Sequence, residues 1–377
     1  MPFCHSPWTN LDIDPLGTMA PCCKFQHDKN KQKFNIQTHT IQQYSKSKLL
    51  QQVRSEFMQG NWPSGCERCK IEEQNNIESK RNLDHARWKD HYEQYNLDSN
   101  EFITASIAFG NTCNLKCITC GPTSSSKWQK EYKDIYGIDV AHNKFYKNNF
   151  VTDLVAAAPS LVHLDIPGGE PLLSGVPEQK ALLYHYIQFG QARTMSLHYT
   201  TNATVFPDAE WWEIWSHFQN VDIQLSVDAI GKRYEYIRFP ANWDTTIDNV
   251  QQYIQRQKDN IQLSVSHTVS AYNIYYLDEF FEWCYTMGLP RPWLGRVHNP
   301  AHMRPSVWHN TAHQVIIDKL SESQYPDVQV WKEMIANTDD SKLFKTFKKY
   351  LHQHDQYRDT DFAAAFPELA KYLIDKI

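Results

Sequence analysis

The sequence predicts a protein of the α/β class, in which parallel strands alternate with helices. From about residue 102 onward, candidate strands and helices follow one another, and the connections are long and helical rather than short hairpin turns. The candidate strands are Ile103–Phe109, Val162–Pro167, Met195–Thr201, Val221–Val227, Ile261–Val269 and Pro292–His298, and the candidate helices lie near 124–136, 177–191, 208–218, 244–257 and 274–287. From about His309 to the end, the pattern predicts helices only.

These candidate strands alternate between apolar and polar residues, whereas parallel strands covered by helices on both faces are normally apolar throughout. The polar phase holds His163, Asp165, Ser196, His198, Thr200, Asn202, Asp222, Gln224, Ser226, Asp228, Gln262, Ser264, Ser266 and Thr268. If helices cover the outside of the sheet, this polar face lines an interior, unlike the apolar interior of a closed eight-stranded barrel. The alternation therefore favours a partial, TIM-like (β/α)6 barrel with a polar lumen. An antiparallel sheet with one solvated face is the alternative.

Composition excludes several classes of protein. Of the 377 residues, 41% are hydrophobic and 21% are charged, which is a globular composition rather than a disordered one. A formal net charge of −5 gives no strong nucleic-acid signal. We find no run of 18 apolar residues and no secretory signal at the N-terminus, so we expect a cytoplasmic protein without a membrane span.

The chain is predicted to have three parts. Residues 1–100 are irregular and rich in cysteine, with candidate helices at Ile41–Gln59 and from Ile71 to about Tyr95. Residues 101–300 form the partial barrel, and residues 301–377 form a helical C-terminal extension.

Cysteines are unevenly distributed and indicate metal binding. Of the nine cysteines, eight lie within the first 120 residues and only Cys284 lies beyond them. In a reducing compartment, clustered cysteines are typical of metal ligands or redox groups rather than disulfides. We expect Cys284, which lies in a candidate helix, to be a packing residue.

A C-x3-C-x2-C pattern follows the first predicted barrel strand, formed by Cys113, Cys117 and Cys120. Three thiolates at this spacing can bind three irons of a [4Fe–4S] cubane and leave the fourth iron open for chemistry. A zinc site and coincidental core cysteines are the alternatives, although zinc sites more often use two C-x2-C pairs or include histidine. The loop lies at the carboxyl end of a strand, which is the functional edge of a parallel barrel.

These three cysteines resemble the cluster motif of the radical S-adenosylmethionine (radical SAM) family, and the resemblance covers roughly residues 102–300. It implies that the open iron chelates SAM, whose reductive cleavage gives a 5′-deoxyadenosyl radical that abstracts a substrate hydrogen. It also implies an external electron donor such as flavodoxin or ferredoxin. This sequence departs from the family at Thr119, where an aromatic residue usually lies beside the adenine.

The resemblance extends to further candidate SAM-binding residues. Gly168, Gly169 and Glu170 follow the second barrel strand and resemble the family's GGE motif, which holds the SAM amino group. Asn202 ends the third strand and is a candidate ligand contact, with a structural role as the alternative. The resemblance further implies that Ser226 and Arg238 hold the SAM carboxylate and that Asp228 contacts ribose or substrate.

The N-terminal cysteines resemble the auxiliary-cluster region of SPASM and twitch radical SAM proteins. The resemblance rests on Cys4, Pro7-Trp8, Gly17, Pro21-Cys22-Cys23 and the Cys66-x2-Cys69 pair, here placed before the barrel. Glu72-Glu73, Ser79 to Arg81 and Asp355 to Arg358 belong to the same pattern. It implies a second [4Fe–4S] cluster held by four of the five cysteines Cys4, Cys22, Cys23, Cys66 and Cys69, with zinc as the alternative metal.

The sequence therefore predicts a two-cluster radical SAM enzyme that abstracts hydrogen from a peptide or protein residue. Two alternatives remain open at this point. One is the same chemistry on a small polar metabolite inside the lumen. The other is a non-catalytic, zinc-stabilised binding protein that has kept the barrel.

Overall fold

The structure, a computed structural model, describes residues 2–28, 33–74, 78–140 and 149–373. Its strands are β1 (Asn10–Ile13), β2 (Met19–Ala20), β3 (Thr104–Ile107), β4 (His163–Ile166), β5 (Ser196–Thr201), β6 (Asn220–Ser226), β7 (Ile261–Val269) and β8 (Trp293–Arg296). The helices up to β6 are α1 (Ser6–Thr9), α2 (Ile41–Ser45), α3 (Lys48–Met58), α4 (Glu67–Gln74), α5 (Lys80–Arg87), α6 (Lys89–Gln94), α7 (Trp128–Tyr136), α8 (Phe150–Ala157), α9 (Val176–Gln188) and α10 (Ala209–Ser216). The helices after β6 are α11 (Gly231–Ile237), α12 (Trp243–Gln255), α13 (Leu277–Thr286), α14 (Asn310–Ser321), α15 (Pro326–Ala336), α16 (Phe344–Arg358), α17 (Phe362–Ala365) and α18 (Pro367–Ala370).

The strands form one sheet in the order β2-β1-β3-β4-β5-β6-β7-β8. β1 pairs in parallel with β3, and the pairs β3–β4, β4–β5 and β7–β8 are also parallel, while β2 is antiparallel to β1. From β3 onward the strands lie in chain order with helices between them, as a (β/α)6 partial barrel requires. The predicted fold class is therefore confirmed.

Burial along the strands follows the predicted alternation. In β6, Val221, Ile223 and Leu225 are at most 1% exposed, whereas the intervening polar residues are half-buried. Polar side chains on neighbouring strands bond to one another, because buried polar groups need partners. Ser106 Oγ donates to Asp165 Oδ2 at 2.9 Å between β3 and β4.

Several elements differ from the sequence prediction. The predicted helix Ile41–Gln59 is two helices, because the Ser47 side chain accepts a hydrogen bond from the Leu50 N–H and begins α3. The predicted helix from Ile71 to about Tyr95 is α4, α5 and α6, with residues 75–77 outside the described part. Strand β1 and helices α8 and α11 were not predicted. No strand follows β8 among residues 297–373, as expected for the C-terminal extension.

The chain forms two compact units that interleave in sequence. The first unit comprises Met1–Thr112, His142–Tyr199 and Ala209–Val221, and its core includes a cluster of Tyr199, Trp211 and Trp215 with ring centroids 5.2 to 6.0 Å apart. This cluster fixes α10 against β5.

The second unit comprises Cys113–Ala141, Thr200–Asp208 and Asp222–Ile377. In it, Tyr236 packs 5.2 Å from Phe366 and Tyr272 packs 5.3 Å from Phe347, which ties the C-terminal helices to α11 and to the segment after β7. The predicted boundaries at residues 100 and 300 stay a prediction.

None of the helices in the described ranges combines the length and apolar content that crossing a lipid bilayer requires.

Candidate functional site

The loop that carries Cys113, Cys117 and Cys120 follows β3 and lies in the second unit. Its backbone pairs with the segment after α11, because the Lys116 N–H donates to the Phe239 carbonyl and the Ile118 N–H donates to the Ile237 carbonyl, each at 2.7 Å. These two bonds are backbone hydrogen bonds of the kind that join neighbouring strands in a sheet, and they fix the position of an irregular loop. The three thiols are thus presented by a fixed backbone.

Trp128 of α7 and Ser126, which precedes α7, also form hydrogen bonds with this loop. The indole Nε1–H of Trp128 donates to the Cys117 carbonyl at 3.0 Å, and the Cys113 N–H donates to Ser126 Oγ at 3.3 Å. Trp128 is 1% exposed, so this hydrogen bond is shielded from water.

The three thiols are half-buried and have no disulfide partner. Burial raises the pKa of Cys117 well above its usual value and raises that of Cys120 to about 11, while the Arg238 guanidinium opposes both shifts. A metal that binds here must therefore displace the thiol protons and supply the compensating charge.

Within the described residues, no three Cys, His, Asp or Glu side chains are placed to hold a single metal ion. A [4Fe–4S] cubane does not need such convergence, because its thiolates bind different irons. The donor set of three thiols on one rigid loop suits that cluster.

Arg238 and Asp228 form a buried ion pair in the same unit. Arg238 Nη2 lies 2.8 Å from Asp228 Oδ2, and the two residues are 8% and 1% exposed. Burial is the largest influence on the pKa of Arg238 and lowers it, but the negative charge of Asp228, together with Cys117 and Tyr234, raises this pKa overall. The buried Nε of Arg238 has no hydrogen-bond partner, so this guanidinium keeps a donor for an additional acceptor.

Asp228 is oriented by residues at the end of β7. Its Oδ1 accepts a hydrogen bond from the Thr268 N–H at 2.7 Å, and its backbone carbonyl accepts one from Asn273 Nδ2 at 2.9 Å. Nearby, Ser226 Oγ lies 3.2 Å from Ser266 Oγ. The structure therefore brings three predicted residues, Ser226, Asp228 and Arg238, to the edge where β6 and β7 end.

Asn202 contacts the cysteine loop directly. Its Nδ2 donates to Asn114 Oδ1 at 2.9 Å and lies 3.9 Å from Cys113 Sγ. An amide N–H beside a sulfur ligand favours the thiolate and tunes a cluster's reduction potential. Asn202 is thus a residue that supports the loop, and its contact with a ligand stays a prediction.

A buried charge network that sequence reasoning missed supports this loop. Glu131 of α7 is fully buried, and its carboxylate contacts Lys116 Nζ at 2.7 Å, His354 Nδ1 at 2.5 Å and Arg358 Nε at 2.8 Å. Burial alone would raise the pKa of Glu131, but the hydrogen bond from His354 and the cations of Arg358 and Lys116 lower it to about 2. Lys116 lies between two of the cysteines, so the network links the loop to α7 and α16.

The Gly168-Gly169-Glu170 turn lies in the first unit and packs against the backbone that precedes Cys113. Gly169 has φ +55°, and a Cβ there would lie 2.5 Å from the Thr112 carbonyl oxygen. The Glu170 N–H donates to that same carbonyl at 2.8 Å. The close approach explains the glycine, since no side chain fits between these two backbone segments.

Glu170 itself is fully buried, and its Oε1 accepts a hydrogen bond from the Leu172 N–H at 3.1 Å. The sequence predicted an acceptor at the barrel mouth. The structure places this acceptor on a turn whose position is held by the segment before the cysteine loop.

Four of the five N-terminal cysteines line one cavity in the first unit. They are Cys4, Cys22, Cys66 and Cys69, and the cavity is also lined by Lys24, Lys80 and Arg81. Burial raises the pKa of Cys22 well above its usual value and that of Cys66 to about 12. Four thiols with nearby cations are a donor set that suits a [4Fe–4S] cluster, whose charge is negative.

Cys23 is outside the lining of this cavity and is exposed, whereas Cys22 is half-buried. Adjacent residues point in different directions, so only one of the pair can face the other three thiols. The structure therefore places Cys22, and not Cys23, in the lining of the cavity with the other three thiols.

The pattern residues Glu73, Ser79 and Arg81 form a network beside this cavity. Arg81 Nη2 lies 2.6 Å from Glu73 Oε2, and Ser79 Oγ donates to Glu73 Oε1 at 2.6 Å. Arg81 Nη1 also donates to the carbonyl of Phe3, the residue before Cys4, at 2.8 Å. This network joins α4 and α5 to the first cysteine.

His267 and Cys284 are core residues of the second unit. His267 is 1% exposed with Nδ1 3.1 Å from the Val227 carbonyl, and burial lowers its pKa to about 4. Cys284 is 2% exposed on α13, which confirms the packing role that the sequence predicted for it.

Comparison with known proteins gives one family match. Residues 4–70 match the family model of the SPASM iron–sulfur cluster-binding domain. No curated protein sequence matches this chain.

One solved structure to which this chain is similar is anSMEcpe with bound AdoMet. The TM-score is 0.42 and the sequence identity is 14%, and the alignment covers 52% of this chain and 50% of that chain. Another is SuiB of Streptococcus suis bound to the precursor peptide SuiA, with a TM-score of 0.39, 13% identity and coverage of 98% of this chain and 75% of that chain. The chain spans about half the length of the anSMEcpe structure. The SPASM-type cluster-binding region recognised in the sequence is confirmed by the family match over residues 4–70.

Proposed function

We propose that this chain is a radical SAM enzyme with a SPASM-type auxiliary cluster. The observation that carries the proposal is the arrangement in the second unit. Cys113, Cys117 and Cys120 lie on a loop whose backbone is hydrogen-bonded to the segment after α11 and to Trp128, in the same unit as the Arg238–Asp228 pair. A rigid trio of thiols next to a buried guanidinium suits an iron–sulfur cluster and an anionic group of a cofactor.

Each of these side chains has a specific task in the proposal. The three thiolates hold the cluster, Arg238 and Ser226 bind the SAM carboxylate, and Glu170 accepts hydrogen bonds from the SAM ammonium. When bound, SAM and the reduced cluster supply a 5′-deoxyadenosyl radical for hydrogen abstraction. The protein's own work is to bind, orient and shield these groups.

The auxiliary [4Fe–4S] cluster is proposed to use Cys4, Cys22, Cys66 and Cys69. The support is that these four thiols, and not Cys23, line one cavity. Zinc suits four thiolates as well, so the metal is decided by iron and zinc analysis of protein purified without oxygen.

The substrate is proposed to be a peptide or protein residue, in line with the SPASM-type resemblance. The SuiB structure contains the precursor peptide SuiA. A small polar metabolite is the alternative substrate. Anaerobic turnover with candidate peptides and metabolites, followed by mass spectrometry of the products, separates them. An external electron donor such as flavodoxin or ferredoxin is part of the same proposal.

The function is tested with cluster-reconstituted protein, dithionite and SAM under anaerobic conditions. We expect 5′-deoxyadenosine from the wild type and none from Cys117→Ala. Cys284→Ala is the matched control, because it removes a thiol from the packed face of α13 and leaves the loop intact. Colourless, iron-free wild-type protein that yields no 5′-deoxyadenosine would instead support the zinc-stabilised binding protein.

A further inference from the structure

A cavity of about 800 Å³ lies beside the cysteine loop, entirely within the second unit. One wall is the loop itself, with Thr119, Cys120 and Gly121. Another part of the lining comes from the C-terminal extension, which contributes Tyr350 and Lys349 of α16. The cavity therefore joins a candidate cluster ligand to a helix to which the sequence analysis assigned no function.

Five aromatic side chains contribute to this lining. They are Trp128, Tyr132, Tyr136, His302 and Tyr350. Lys349 is the one formally charged side chain in the lining among the described residues. Aromatic walls with a few polar groups are typical of sites for planar, mostly uncharged ligand groups.

Several of these rings are already engaged in other contacts. Trp128 is 1% exposed and packs against the Arg358 guanidinium at 4.6 Å from its centroid. The Tyr136 hydroxyl is 3.0 Å from His354 Nε2. Tyr132 and Tyr136 pack on each other with centroids 4.9 Å apart.

Tyr350 and His302 form a further aromatic pair, with ring centroids 4.8 Å apart, and Tyr350 also packs on His354 with centroids 4.0 Å apart. Tyr350 is tied to the cysteine loop, because its hydroxyl donates to the Ile118 carbonyl at 3.4 Å. Burial lowers the pKa of His302, so its ring is uncharged at neutral pH. The pair is thus an apolar surface fixed next to Thr119.

Position 119 carries no ring in this chain, although its side chain lines the cavity. A threonine hydroxyl and methyl offer little stacking area for a heteroaromatic base. In the same lining, Tyr350 and His302 offer that area from outside the loop, and Thr268 and Asn299 offer polar groups.

We propose that the Tyr350–His302 pair binds the purine ring of the nucleoside cofactor, so that the C-terminal extension is part of the cofactor site. This inference rests on the proposed radical SAM function and adds a binding residue from α16. It assigns the adenosine half of SAM to this cavity and leaves the amino-acid half to Arg238 and its neighbours.

The test is equilibrium binding to the cluster-reconstituted protein, measured without turnover. SAM affinity is measured directly, and 5′-methylthioadenosine and methionine are measured as competitors, because each carries only one half of SAM. The variants are Tyr350→Leu, Tyr350→Phe and Arg238→Lys, with Tyr325→Leu as a control for the loss of a tyrosine that does not line the cavity.

We expect Tyr350→Leu to weaken SAM and methylthioadenosine binding by about 5- to 150-fold, the range for loss of one base–aromatic stack, and to leave methionine binding unchanged. Tyr350→Phe keeps the ring and should remain within about threefold of wild type. Arg238→Lys should show the reverse selectivity, weakening SAM and methionine but not methylthioadenosine.

Unchanged methylthioadenosine binding in Tyr350→Leu, with SAM still bound by the wild type, overturns this inference and leaves the proposed function intact. Equal loss of methylthioadenosine and methionine also overturns it, because the effect is then not selective for the purine. If the wild type binds no SAM, both proposals fail.

Discussion

The Glu131→Gln substitution tests whether the buried charge network holds the cysteine loop. The side chain is fully buried and contacts Lys116, His354 and Arg358. Glutamine keeps the size of the side chain but removes the charge that compensates the buried Arg358 and the half-buried Lys116. We therefore expect a loss of stability together with a looser loop.

The magnitude follows from the pKa of Glu131, which the network lowers from 4.5 to about 2. A shift of this size corresponds to about 3 kcal/mol of folding free energy, and we expect about 2 to 3 kcal/mol after allowing for screening by solvent. Because the folded-state pKa is lowered, the contribution is fully present above pH 4.5 and is lost as the pH falls toward 2. The difference between variant and wild type should therefore be smaller at pH 4 than at pH 7.

Urea denaturation followed by tryptophan fluorescence measures this free energy of unfolding. The iron content after reconstitution measures whether the cysteine loop still binds its cluster. Glu93→Gln is the matched control, because Glu93 is 64% exposed in a surface pair with Lys89, where such a change costs less than about 0.5 kcal/mol. If Glu131→Gln costs no more than Glu93→Gln, or keeps the same difference from wild type at both pH values, the network does not have the role assigned to it.

The remaining predictions concern the auxiliary cluster and the glycine turn. Cys22→Ser should lose about half of the reconstituted iron and Cys23→Ser should lose none, as measured by iron and sulfide analysis; the opposite result would show that Cys23 is the ligand. In urea denaturation, Gly169→Ala should destabilise the protein by about 1 to 3 kcal/mol more than Gly190→Ala. Both glycines have a positive φ, so both substitutions strain the backbone. Only at Gly169 would the new Cβ also lie 2.5 Å from a carbonyl oxygen, that of Thr112. Equal costs for the two variants would mean that the turn relaxes away from that backbone.

Much of the fold was readable in the sequence because its signals are local. The period-two alternation of β4 to β7 predicted strands with one apolar and one polar face, and the long helical connections predicted parallel pairing. Strand β1 gave no such signal, because its four residues become a strand only by pairing with Thr104–Ile107, some ninety residues later. The same holds for the break at Ser47, where one side-chain cap outweighs a continuous helical pattern.

In the candidate site, too, the sequence predicted the residues with local signals and missed those that depend on distant contacts. The cysteine spacing predicted the loop, and the Gly-Gly-Glu turn was found by its resemblance to a known motif. Glu131 was not found, because a single glutamate in an amphipathic helix is typical of a solvent-exposed face. A partial signal for its partner existed, since Arg358 belongs to the C-terminal pattern noted in the sequence.

By itself, the sequence determined the fold class, the two groups of cysteines and the iron–sulfur chemistry that thiolates at those spacings suit. These features depend on residue type and on short separations along the chain. Only the tertiary structure decided that Cys22 rather than Cys23 lines the cavity with Cys4, Cys66 and Cys69. It also decided that α16 contributes to the site through Arg358, His354 and Tyr350. These facts depend on which distant segments pack together, and local periodicity does not encode that packing.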